Sequence, residues 1–165
     1  MDINGIEGLL AREAIRALKA SYCRLYDTQQ WGRLKTLFLD DARVEGFTSV
    51  PDGARALDFI DAAARRLAGT TMVHHVHAPE IVLTGPDRAR GIWAMNDYVQ
   101  FPAGGEAGWQ GFGFYEEEYA RVDGAWRIAF MRIVRTRLDP LPPGHPAPVP
   151  GRHAPAPDWL RLPNA

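Results

Sequence analysis

Three groups of side chains in this sequence have the types and spacing to do chemistry. The first is Asp27, which falls in the stretch Ser21 to Trp31, Ser-Tyr-Cys-Arg-Leu-Tyr-Asp-Thr-Gln-Gln-Trp, with Tyr22 and Tyr26 flanking it. The second is the run Val73-His74-His75-Val76-His77, and the third is Asp97 in a later apolar-alternating segment. A carboxylate held against an imidazole makes a general base: the carboxylate favours the imidazolium, a dry pocket disfavours it, and the ring stays poised near neutrality. Such a base contributes about 10²- to 10⁴-fold to a rate. Two other readings use the same residues. Asp27 could cap the short helix that follows it, and His75 with His77, two apart on one strand face, could join Asp27 or Asp97 as three zinc ligands.

The elements that must position these groups follow from periodicity. Apolar or small residues at Ile6, Leu10, Ala14, Ala17, Leu18, Ser21 and Leu25 recur in steps of three and four, which predicts an amphipathic first helix ending near Asp27. Asn4 with Glu7 resembles a capping box at its start. A short second helix places Trp31, Leu34, Leu37 and Phe38 inward and stops at Asp40-Asp41, and 42–47 reads as a short strand. After the Pro51-Asp52-Gly53 turn, Ala56, Phe59, Ile60, Ala63, Ala64 and Leu67 predict a third helix closed by Gly69. From Met72 the period becomes two. Strands are expected over 72–84, 88–101, 110–122 and 126–138, with Asp123-Gly124 as a tight hairpin turn. Helices followed by long antiparallel strands make an α+β fold, with a strongly curved sheet around the first helix.

With 19 basic and 20 acidic residues and no long run of one sign, the chain offers no nucleic-acid or membrane surface. Its length suits one domain with a cavity. Cys23 is the single cysteine and reads as small-residue packing. That, with no signal pattern and no apolar run long enough to span a bilayer, suggests a cytoplasmic protein. Nine of the thirteen prolines lie from Pro140 onward, so 1–139 is read as the folded domain and 140–165 as a proline-rich extended arm. Trp159, Leu160 and Leu162 would suit docking of that arm. Glu116-Glu117-Glu118 reads as a solvated run at the sheet edge, and Trp126, Phe112 and Phe114 as sheet packing.

The order Tyr26-Asp27, Trp31, Arg33-Leu34, Asp40-Asp41-Ala42, His75, Gly91, Tyr119, Asp123-Gly124 and Trp126 resembles the SnoaL-like branch of the nuclear-transport-factor-2 superfamily, over about Ile6 to Leu138. That branch includes scytalone dehydratase, lindane dehydrochlorinase and polyketide cyclases, with ketosteroid isomerase as a more distant relative. The resemblance implies a cone-shaped sheet closed by helices around an apolar pocket. It also implies that Asp27 orients His75 as the general base, with Tyr26 matching the tyrosine before that aspartate. Trp93, Met95, Asp97 and Val99 share a strand face that the resemblance turns inward, and Tyr115 and Met131 face the pocket by the same comparison. Asp97 would then be a proton donor or a partner of His77. A second dehydratase histidine falls at Val99, its asparagine at Tyr115, a second tyrosine near Gly46 and the dehydrochlorinase arginine near Met131, so neither substrate carries over.

The leading expectation is a cofactor-independent lyase. His75, oriented by Asp27 and assisted by Tyr26, removes a proton from an apolar cyclic or aromatic molecule held by Tyr22, Trp93, Met95, Asp97, Tyr115 and Met131, and water, halide or a small carbonyl such as formaldehyde leaves. An isomerase or cyclase would use the same proton abstraction, and a binding module would use the pocket without chemistry. Relatives assemble through the outer sheet face, so a homodimer or homotrimer is expected, with Trp109, Phe112 and Phe114 supplying that surface.

Overall fold

A computed structural model describes residues 2, 4–102, 106–146 and 160. Three helices and six strands follow in the order α1 (Ile6–Asp27), α2 (Trp31–Lys35), β1 (Phe38–Glu45), β2 (Ala54–Arg55), α3 (Ala56–Arg66), β3 (Thr71–Gly85), β4 (Arg88–Gln100), β5 (Gly108–Val122) and β6 (Ala125–Pro140). The strands form one curved, unclosed sheet in the order β2-β1-β6-β5-β4-β3, antiparallel except where β1 runs parallel to β6. The helices pack over its inner face, which makes the expected α+β cone.

The four long strands lie where the period of two placed them. The β5–β6 turn is the predicted one: Asp123 and Gly124 both take positive φ, 51° and 80°, the conformation that a two-residue hairpin of matching twist requires. The strand expected over 42–47 instead begins at Phe38, because Phe38 and then Arg43 to Glu45 pair with β6, and α2 ends at Lys35. Asn4 does not cap α1. Gly5 stands at the N-cap position without a side-chain bond, and Glu7 takes the backbone N–H of Asp2.

The buried face of α1 also differs from the expected stripe. Ala11, Ile15, Leu18, Lys19, Tyr22 and Tyr26 face the sheet, while Ile6, Leu10, Ala14 and Ala17 are exposed. A lysine at the centre of the buried face hid the pattern. Cys23 packs in the core, where burial pushes its thiol up to about 11.

The arm leaves β6 with Leu141 N–H donating to Gly108 O. His145 and Pro146 then reach Tyr98 and Gln100 on β4. Trp159 and Leu162 lie outside the described residues.

Candidate active site

Asp27 is the last residue of α1, where the helix dipole presents its negative end. A carboxylate is disfavoured there unless donors meet it, and here two do. The backbone N–H of His74 donates to Asp27 Oδ2 at 2.9 Å, and His74 Nδ1 donates to Asp27 Oδ1 at 2.6 Å. The helix end is fixed against the sheet by Gln29, at φ 55°, whose side-chain amide donates to Thr70 O just before β3. Because a carboxylate can only accept, the neutral ring carries its proton on Nδ1, which leaves the Nε2 lone pair for the cavity. Tyr26 packs edge-on against the ring, with centroids 4.8 Å apart.

This pairing corrects the expectation for His75. Residues Met72 and His74 of β3 point inward and are buried, whereas His75 and His77 point outward and are exposed. Asp27 and Asp97 therefore face a different side of the sheet from His75 and His77, and the three-ligand zinc grouping does not assemble. Among the described residues no three His, Cys, Asp or Glu side chains stand together as a metal site.

Across the strand pair, His74 lies opposite Asp97. Asp97 is neither a free acid nor a partner of His77: Arg135 of β6 donates to both of its oxygens, at 2.9 and 2.5 Å. Burial alone would weaken the Arg135 guanidinium's hold on its proton, but the hydrogen bonds and charge of Asp97 outweigh it and raise its pKa further. The pair passes directly over Gly111 of β5, where a Cβ would overlap both Arg135 Nη1 and Asp97 Oδ1. A row of inward positions thus runs from Asp27 at the end of α1 through His74, Asp97, Gly111 and Arg135 on four adjacent strands. Substituting Gly111→Ala is expected to split the ion pair, costing about 1–3 kcal/mol for the lost charge-assisted bonds and lowering kcat/KM. Thermal unfolding and steady-state rates check this, and an unchanged variant would show that the strand tolerates the bulk.

These groups open on a cavity of about 810 Å³ between the sheet, α1 and α3. Tyr22, Tyr26, His74, Asp97, Tyr115, Trp109, Phe59 and Arg135 line it, with Arg65, Arg66 and Glu106 also on its lining. Tyr22, Tyr26, Asp97 and Tyr115 are therefore where the sequence reading put them. Trp93, Met95 and Met131 also turn inward, but they are core residues outside the lining, and Trp93 Nε1 is engaged with the Tyr119 hydroxyl at 2.8 Å. Trp109 faces the cavity and not the outer surface, since only Phe112 and Phe114 have the outward parity. Glu117, expected to be solvated, is buried in the core beside Lys19.

His74 and Arg135 are the site residues that sequence reasoning missed. Both carried a parity signal: His74 shares its face with Met72, and Arg135 shares its face with Met131 and Ile133, all buried.

The family model for the SnoaL-like domain matches residues 7–132. A probable cyclase of Gibberella zeae is 25% identical over 139 residues, 76% of this chain and 91% of that protein. A hexachlorocyclohexane dehydrochlorinase structure superposes with a TM-score of 0.72 at 24% identity, covering 87% of this chain and 97% of its own. A scytalone dehydratase-like protein of Novosphingobium aromaticivorans superposes at 0.71 with 17% identity, covering 86% and 98%. At these identities the two structures speak to the fold.

Proposed function

This chain belongs to the SnoaL-like domain family of the nuclear-transport-factor-2-like superfamily, and within it we propose a cofactor-independent lyase that works by general-base elimination on a cyclic or aromatic small molecule. The observation that carries this reading is the Asp27–His74 pair at 2.6 Å, with its second imidazole nitrogen left for the cavity. His74 Nε2 takes a proton from a substrate carbon, and the C–H electron pair becomes the new double bond. The leaving group departs with its own bonding pair, as water once protonated or as halide. Loss of a small carbonyl such as formaldehyde takes the proton from a hydroxyl instead: the O–H pair becomes the carbonyl's second C–O bond, and the pair of the broken C–C bond forms the substrate's new double bond as a leaving group departs from the adjacent carbon. Asp27 holds the ring in the productive tautomer and stabilises the imidazolium that forms. Arg135, fixed by Asp97, supplies positive charge where negative charge develops on the departing or enolate oxygen.

The likeness to a probable cyclase favours a second reading, in which the same proton abstraction closes a ring. Mass spectrometry of hydroxylated aromatic, lignin-like, steroid and polyketide compounds after incubation with chelator-treated protein separates the two. Loss of water, hydrogen halide or formaldehyde is the result expected of the lyase. An isomer of unchanged mass supports the cyclase or isomerase, and no change across the panel counts against both and for a binding module.

A further inference from the structure

The chain has five histidines, and the cavity uses one of them. His74 is held by Asp27, and His145 meets the Tyr98 hydroxyl. His153 lies outside the described residues. His75 and His77 are exposed, and neither ring has a partner among the described residues. They stand two apart on β3, the edge strand of the sheet, so both side chains leave its outer face from Cα atoms about 6–7 Å apart.

The local backbone preserves this arrangement and extends it. Opposite His75 and His77 on β4 are Asn96 and Ala94, which carry no charge and too little bulk to cover two imidazoles. Beyond His77 the register slips: Ala78 and Pro79 take the space of one residue, opposite Trp93, and Ala78 adopts φ 46°. A left-handed conformation in a residue other than glycine costs about 1–2 kcal/mol. The bulge it makes has a definite effect on parity. In a regular strand Glu80 would point inward; with the extra residue it joins His75 and His77 on the outer face, exposed. Glu80 has no ion pair among the described residues, because the arginines that line the same shallow groove, Arg90 and Arg132, are taken by Glu118 and Glu116.

Neutral imidazoles suit borderline divalent ions, whereas calcium and magnesium take oxygen ligands. Zinc–nitrogen bonds of about 2.0–2.1 Å hold two ligand nitrogens roughly 3–4 Å apart. Side chains that lean along the strand close the gap from the wider Cα spacing. Glu80 adds a negative charge to the face that receives the ion.

We propose that His75 and His77 chelate a divalent copper, nickel or zinc ion on the outer edge of the sheet, with copper held most tightly. Two protein ligands leave the remaining coordination positions to water, so the site is open and exchangeable. It is separate from the cavity: neither Asp27, His74 nor Asp97 takes part, and the general-base chemistry proceeds without it.

Calorimetric titration of the untagged, chelator-treated full chain with copper, nickel and zinc chlorides tests the proposal. One ion per chain is expected, copper binding more tightly than nickel or zinc. His75→Ala and His77→Ala are each expected to weaken binding at least about tenfold, since loss of even an outer-shell partner of a metal ligand costs about 10- to 100-fold. His74→Ala is expected to leave it unchanged. Paramagnetic resonance of the copper-loaded native chain, which depends on no variant's folding, is expected to show coupling to two imidazole nitrogens. Absence of binding, binding that survives loss of both His75 and His77, or a copper spectrum with oxygen ligands alone would overturn the proposal. Loss of binding in His74→Ala would overturn it too, because the ion would then belong to the cavity.

Discussion

Replacing His74 by alanine is expected to lower turnover at least about a hundredfold with the fold intact, whereas replacing its neighbour His75 by alanine is expected to leave it within about twofold. The two residues are adjacent in sequence and opposite in consequence, because one faces Asp27 and the cavity and the other faces solvent. Asp27→Asn is expected to approach the His74→Ala effect. Asp27 accepts from the His74 backbone with one oxygen and from its ring with the other. An asparagine has a single acceptor oxygen, so one of those N–H groups would confront an amide N–H, and the ring would lose its tautomer or its position. Steady-state kcat and KM, with circular dichroism as the check on folding, decide the matter. Full activity in His74→Ala, or a collapse in His75→Ala alone, would sink the mechanism.

The second large effect concerns stability. Lys19 of α1 and Glu117 of β5 are fully buried and bonded at 2.5 Å, with Glu117 also accepting from the Tyr119 hydroxyl. The ammonium lies 4.2 Å from the Tyr22 ring centroid and 3.6 Å from that of Tyr115, so it contacts two of the cavity's walls without lining the cavity. Lys19→Met alone leaves a carboxylate buried without its cation and is expected to cost about 3–5 kcal/mol. For a chain of this size that lowers Tm on the order of 10 °C. The double change Lys19→Met with Glu117→Gln removes both charges and keeps an acceptor for Tyr119, and is expected to recover most of the loss. Denaturant unfolding of the single and double variants tests this, and a single variant as stable as the native chain would show the pair to be energetically idle.

That buried pair also shows where sequence reading failed. The expected stripe holds at Leu18 and Leu25, which are buried, and fails at Ile6, Leu10, Ala14 and Ala17, which are exposed, while burial of Lys19 is decided by a carboxylate 98 positions away. Helical periodicity cannot see it. For the same reason Glu117 read as one of three solvated glutamates, although strand parity separates it from Glu116 and Glu118, which pair with Arg132 and Arg90 on the outer side.

The histidine error is of another kind. Alternation along β3 already grouped Met72 with His74 and apart from His75 and His77, but the choice of His75 came from matching the order of motifs, which shifts by one residue without penalty. In a strand a shift of one changes the face. Arg135 shared the inward parity of Met131 and Ile133, yet nothing local marked it as the partner of Asp97.

What the sequence determined by itself is therefore the part governed by local rules. The helix ending at Asp27, the change to period two at Met72, the Asp123-Gly124 turn and the inward set containing Tyr22, Tyr26, Asp97 and Tyr115 follow from spacing, turn chemistry and strand parity, helped by family likeness. What only the tertiary structure decided is which charges meet: Asp27 with His74, Asp97 with Arg135 over Gly111, and Lys19 with Glu117. Each pair joins different elements, and in a low-dielectric interior a charge is tolerated only where its partner arrives, so its meaning lies in a contact that no local window contains.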